Sequence, residues 1–232
     1  MDASGDGAAR TEEEEPGRAL RVVGAGQLGE VAAVLAAGGL AVVPTDTVYG
    51  LAARLDRPEA VRALFWAKGR PQSVAIPVLA GSPAQARALS GAWPVLAELL
   101  TGPLWPGPLT VVVPAPPALA ALLGAATETV GLRVPAHREL CALATLTGPL
   151  AVTSANRHGR EPCTTVAEVL EVFGRSLGAG DGDEVVPVQV VLDGGVCDGV
   201  PSTVVDCTGP VPVCLREGAI GWDRIQEAAR PR

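Results

Sequence analysis

The chain has 232 residues, 48% of them hydrophobic, and a formal net charge of −7. That length suits one α/β domain large enough to bury a core, and Gly, Pro or a charge interrupts every run before eighteen apolar residues, which excludes a helical membrane span. So acidic a chain is unsuited to broad nucleic-acid binding by phosphate neutralisation, while a local basic pocket for a nucleotide stays open.

Residues 1–18 carry six acids and two arginines, a composition that predicts a disordered acidic tail ahead of a single domain over 19–232. No basic start followed by an apolar run is visible, so a secretory signal is not expected. Apolar spacing predicts a helix over 27–37, closed by Gly38-Gly39, and a buried strand over 40–43 that Pro44 stops. Thr45-Asp46-Thr47 then supplies hydroxyls and a carboxylate at the strand's C-terminal end, where α/β sheets bind ligands; an ordinary Asx-type turn would use the same residues. A second amphipathic helix over 57–67, with Pro58 in its first turn, delivers Lys68 to the next loop.

Lys68 is the only lysine in the chain. Its ammonium is a compact point charge that a planar guanidinium cannot replace, and Arg70 adds a fork suited to phosphate or carboxylate oxygens. Lys68-Gly69-Arg70-Pro71 therefore reads as a turn that presents two cations to one anion, with Lys68 an exposed pocket lysine. A helix ending in basic residues, as its dipole favours, fits these four residues equally. Tyr49 is the only tyrosine and Asn156 the only asparagine, and both also fall in segments read as turns.

Further along, a short strand over 76–79 precedes helices over 83–89 and 95–100. The Gly- and Pro-rich run 102–110 makes a rigid shaped loop, with Trp105 a core wedge in preference to a pocket wall. Strands follow over 110–113, 129–134 and 150–153, with a short helix over 116–123. Arg133 sits near the end of an apolar strand, where a guanidinium is costly unless it meets an anion; an edge-strand arginine facing water is the other reading. His137 starts the next helix as a polar cap, and Thr164 and Thr165 offer an N-cap to a helix over 166–173. A flexible acidic loop is expected over 178–184, then a strand over 188–192 ending at Asp193-Gly194-Gly195. A strand pair over 202–206 and 211–215 and a last helix over 222–229 complete the chain. Five cysteines with no C-x-x-C pair point to buried thiols in a reducing cytoplasm and give no zinc-finger spacing.

In this order the segments resemble the YrdC-like family of L-threonylcarbamoyladenylate synthases, over about residues 20–220. The resemblance rests on Pro44-Thr45-Asp46-Thr47-Val48-Tyr49-Gly50-Leu51, Lys68-Gly69-Arg70-Pro71, Trp105-Pro106-Gly107-Pro108-Leu109-Thr110 and Arg133-Val134-Pro135. It continues through Thr153-Ser154-Ala155-Asn156, Asp193-Gly194-Gly195, Ser202-Thr203-Val204-Val205 and Arg216-x-Gly218. The chain departs from the family pattern at Val74-Ala75-Ile76, at Pro201 and at Glu217, all beside motif residues.

The resemblance implies an α/β fold: a twisted mixed sheet, parallel and antiparallel, with flanking helices around a large concave cavity, in the short single-domain form. It implies a nucleotidyltransferase that makes threonylcarbamoyl-AMP and pyrophosphate from L-threonine, bicarbonate and ATP with Mg2+, no protein ligand set for the metal being identified. A separate transferase would pass the threonylcarbamoyl group to tRNA, direct tRNA contact being weak at most. By motif, Thr45, Arg133 and Ser202 would hold threonine, and Lys68, Arg70, Thr129, Ser154, Asn156 and Arg216 would contact the nucleotide, Lys68 and Arg70 supplying catalytic charge. Such chemistry needs positioning and fixed positive charge more than a protein nucleophile. A non-catalytic RNA-binding or ribosome-associated module of the same fold, and a relative that consumes carbamoyl phosphate, are the competing readings.

Overall fold

The computed structural model describes residues 20–69, 74–157, 159–174 and 188–230. The acidic tail, most of the Arg70 loop and the loop expected over 178–184 lie outside them. Strand β1 (Arg21–Val23) and helix α1 (Leu28–Ala36) lead into β2 (Leu40–Val43) and β3 (Gly50–Arg54). Helix α2 (Pro58–Lys68), β4 (Val78–Leu79), α3 (Pro83–Arg87), α4 (Val95–Leu104), β5 (Leu109–Pro114) and α5 (Pro117–Leu122) follow. The second half runs β6 (Thr129–Arg133), α6 (Arg138–Thr147), β7 (Leu150–Ser154), α7 (Val166–Phe173), β8 (Val188–Leu192), β9 (Thr203–Asp206), β10 (Val213–Arg216) and α8 (Trp222–Ala228).

The strands form a single sheet in the order β1-β8-β2-β3-β7-β4-β6-β5-β9-β10. It is mixed: β8 runs parallel to β1 and β2, while β3 is antiparallel to β2 and β7. Side chains alternate across it with period two. In β2, Leu40 and Val42 join the larger core on one face, while Ala41 and Val43 join a second core under α1 and α6 on the other. Buried on both faces, β2 reads as an unbroken apolar run.

Local signals set the ends that matter for function. Pro58 opens α2, and Gly69, at φ 61°, closes it in the left-handed conformation that only glycine adopts readily, which leaves Lys68 as the last helical residue. Thr165 and Glu168 form a reciprocal capping box at α7. His137 caps α6, its side chain accepting from the Leu140 amide. Trp105 is a core wedge as expected, 7% exposed, its indole N–H donating to the Leu109 carbonyl.

The elements differ from expectation in four places. β1 and β3 are strands that the sequence hides. β3 is Gly50-Leu51-Ala52-Ala53-Arg54, small residues of weak strand preference, and Gly50 is required because a Cβ there would lie 2.5 Å from a Val152 methyl on the adjacent strand. α4 runs through Pro103 to Leu104, since a proline in a last turn forfeits only a carbonyl bond near the helix end. The strand expected over 76–79 pairs only at Val78 and Leu79.

Candidate functional site

Away from α1 and α6, the same face of the sheet carries no apolar core cluster among the described residues, and a cavity of about 430 Å³ opens there. Its floor follows the alternation of three strands. In β6, Val130 and Leu132 face the core, while Thr129, Gly131 and Arg133 face the cavity. Thr110 and Val112 of β5, with Ser202 and Val204 at β9, repeat that pattern. Thr129 and Arg133 are four residues apart, so they stand about 13 Å from each other along the floor. The expectation of ligands at the end of β2 holds only for one wall, formed by Thr45 and residues 47–50; the rest of the site is a sheet face.

Arg133 is 5% exposed and lies on an interior strand, between β4 and β5. The alternative of an edge arginine facing water is therefore wrong. Its anion is a protein carboxylate: Nη2 donates to Asp46 Oδ1 in a short contact. Nη1 donates to Thr47 Oγ1 at 3.1 Å and Nε to the Gly107 carbonyl at 3.1 Å. Burial pulls the guanidinium's pKa down, Asp46 opposes that, and nearby Arg216 adds to it.

Thr45 makes the turn as much as it lines the wall. Its hydroxyl donates to the Val48 carbonyl at 2.7 Å and accepts from the Thr47 and Val48 amides. A carbonyl cannot donate, so Thr47 supplies the proton in the 2.9 Å contact between the two hydroxyls. Hydrogen bonds thus run in one direction, from Arg133 through Thr47 and Thr45 to Val48. Both threonine protons are committed inside this turn.

Lys68 differs from expectation. It is not an exposed pocket lysine but is 3% exposed, behind Thr153 and Ser154, which do line the cavity. Its ammonium contacts the Ser154 carbonyl at 2.7 Å, Asn156 Oδ1 at 2.8 Å, Ser154 Oγ at 3.0 Å and Thr153 Oγ1 at 3.2 Å. Among the described residues, four neutral oxygens face its three protons and hold the charge at the cavity wall. Asn156, 6% exposed, accepts from both Lys68 and Ser154, so its scarcity in the sequence did mark a structural node. Arg70 lies outside the described residues.

At the far edge, Leu215 and Arg216 together oppose Val204, a bulge that breaks the alternation of β10 and sends both side chains to the cavity. Arg216 Nε and Nη2 donate to the Ser202 carbonyl at 3.1 and 2.8 Å, and Nη2 also to Ser202 Oγ at 3.1 Å. Thr110 Oγ1 lies 3.0 Å from the same hydroxyl. Gly218 permits this approach, since a Cβ there would fall 2.2 Å from the Pro201 carbonyl.

With this geometry in view, the chain can be set beside known proteins. The family model described as Sua5_yciO_yrdC, telomere recombination, matches residues 33–218. The chain belongs to this family. A Bacillus subtilis member named threonylcarbamoyl-AMP synthase is 36% identical over 210 residues, covering 88% of this chain and 57% of that protein. A Mycobacterium tuberculosis member is 39% identical over 192 residues, covering 82% of this chain and 83% of the relative. The crystal structure of Pyrococcus abyssi Sua5 complexed with L-threonine superposes with TM-score 0.79 at 32% identity, covering 90% of this chain and 60% of that one. The chain thus spans less than two thirds of the Bacillus and Pyrococcus relatives.

In this member of the Sua5/YciO/YrdC family, the structure brings the site residues expected from sequence, Thr45, Arg133, Ser202, Arg216, Thr129 and Ser154, to one cavity, with Lys68 and Asn156 directly behind its wall. The sequence marks the Thr45-Asp46-Thr47 segment as a ligand-binding strand end and Thr110 as part of a motif, but gives Asp46, Thr47 and Thr110 no individual role. Asp46 carries a usable signal, being an acid three residues past the end of β2 in a chain whose sequence places an arginine inside an apolar strand. Tyr49 was singled out for rarity, but its hydroxyl donates to the Gly195 carbonyl at 2.8 Å and accepts from the Gly194 amide at 3.2 Å, which pins the Asp193 turn.

Proposed function

We propose that the chain is a threonylcarbamoyl-AMP synthase, joining L-threonine, bicarbonate and ATP with release of pyrophosphate. The observation that carries this reading is a cavity with a pinned arginine at one end and further cationic groups along its walls, in a chain 36% identical to a named threonylcarbamoyl-AMP synthase over 88% of its length. The amine of threonine captures CO2 from bicarbonate, losing a proton and forming an N-carboxylate. A carbamate oxygen then attacks the α-phosphorus of ATP, and the bond to pyrophosphate breaks.

In this reading Arg133 takes the threonine carboxylate, with Thr45 and Ser202 alongside. Lys68, Arg70 and Arg216 neutralise phosphate oxygens as charge builds, with Ser154 and Asn156 fixing Lys68 and Thr129 at the nucleotide end. Mg2+ arrives on the ATP phosphates as part of the substrate. No thiol is suited to nucleophilic attack at Cys163 or Cys207, where burial raises the pKa to about 11 and about 12. The product, a mixed anhydride, passes to a separate transferase that modifies tRNA. Among the described residues no helix is long and apolar enough to cross a membrane, and the reading places the reaction in the cytoplasm, where ATP and tRNA are found.

The test is pyrophosphate release from ATP by the pure protein. It is expected only with threonine and bicarbonate together, with threonylcarbamoyl-AMP identified by mass. Turnover of carbamoyl phosphate, or release that ignores bicarbonate, would count against the reading. Salt-sensitive RNA binding without turnover would favour the non-catalytic module.

A further inference from the structure

We infer that Asp46 is the positioning residue of the amino-acid end, acting through Arg133 alone: it fixes the guanidinium at one setting and thereby sets the affinity for the substrate carboxylate. The inference deepens the proposed function and rests on the reading of Arg133 as the carboxylate ligand.

Arg133 and Thr47 line the cavity, whereas Asp46 is not part of its wall. Asp46 therefore stands behind the guanidinium as seen from the ligand side. The three nitrogens of Arg133, which β6 carries, are held from two separate stretches: Asp46 and Thr47 in the turn after β2, and Gly107 in the loop before β5. A guanidinium has five N–H donors. Three have these partners among the described residues, and the remaining two belong to one terminal nitrogen each, the number a carboxylate accepts in a bidentate pair. The device works by removing freedom, since an arginine already held in place loses little on binding.

Charge points the same way. Arg216 is near enough to disfavour the Arg133 cation, so a second positive group shares this end of the cavity. Asp46 is the acid paired with Arg133, with side-chain exposures of 13% and 6%. Its second oxygen, Oδ2, is buried and has no hydrogen-bond partner among the described residues. An orphaned carboxylate oxygen is costly. The uncompensated oxygen is accounted for if the full negative charge is what the site requires.

The experiment compares Asp46→Asn, which keeps shape and an acceptor but removes the charge, with Asp46→Ala, Arg133→Ala and the double variant Asp46→Ala/Arg133→Ala. Steady-state pyrophosphate release gives kcat and both KM values, and calorimetry gives L-threonine and ATP binding directly. Asp46→Asn is expected to raise the threonine KM and Kd by about tenfold or more, with the ATP values changed by less than about twofold. The double variant should match Arg133→Ala, because a residue that acts only through another adds nothing once that other is gone. Additive losses, equal losses for ATP and threonine, or an unchanged threonine Kd in Asp46→Asn would each overturn the inference. Calorimetry separates this from the proposed function: a chain of natural sequence that binds threonine but releases no pyrophosphate removes the synthase reading, while the Asp46 isotherms still decide the inference.

Discussion

The two halves of the sheet are built from the same period-two strands yet end differently. Around β2 and β8 both faces are covered, by α1 and α6 on one side and the larger core on the other, and the alternating positions are apolar on both. Around β6, β5 and β9 only one face has a core, and the alternate positions carry Thr129, Gly131 and Arg133, Thr110, and Ser202. Covering a face selects apolar side chains; leaving it open allows polar ones and makes a site. Among the described residues the cavity takes the place of a covering layer, walled by the turn after β2 and the bulged edge at Arg216.

If that contrast is right, substitutions in the two halves should fail in different ways. The largest effect is expected for Lys68→Ala, with threonylcarbamoyl-AMP formation falling on the order of a hundred- to a thousandfold in single-turnover assays. Since Lys68 is buried among four oxygens, its loss should also lower the melting temperature by several degrees. Unchanged turnover would break the assignment of charge to that wall. In the covered half, Leu35→Ala should cost about 2–5 kcal/mol in denaturant unfolding, because Leu35 is fully buried under α1. The KM values of the folded fraction should not move; a shift in either would show that the halves are not separable.

Gly218→Ala is expected to act on the site through the backbone. Displacing the Pro201 carbonyl moves Ser202 and Arg216 together, and misplacement of that kind costs up to about a hundredfold in rate with a smaller loss of stability. The smallest effect concerns thiols. At pH 8 one cysteine, the exposed Cys214, should react quickly with a thiol reagent, while Cys163 and Cys207, raised by burial to about 11 and about 12, stay protonated. Mass mapping of early labels checks this, and rapid labelling of Cys207 would contradict its place in the core.

The strands that carry the floor were legible because their alternation is in the residues themselves, as in Thr129-Val130-Gly131-Leu132-Arg133. β3 was not, because Gly50, Ala52 and Ala53 are small to fit close neighbours that only pairing reveals. Lys68 was found by its rarity, but its burial was not, since a helix end gives no sign of what packs over it. Arg133 was marked as needing an anion, and the anion turned out to be Asp46, eighty-seven positions away in the chain.

By itself the sequence determined the mixed α/β character, the segments that carry polar groups, and the motif residues of the family, since periodicity, Gly and Pro positions and motif order are local properties of the chain. Only the tertiary structure decided that Asp46 faces Arg133, that oxygens of Thr153, Ser154 and Asn156 face Lys68, and that a bulge turns Arg216 toward the cavity. Those are meetings of distant segments, fixed by strand order and by which sheet face the helices leave bare.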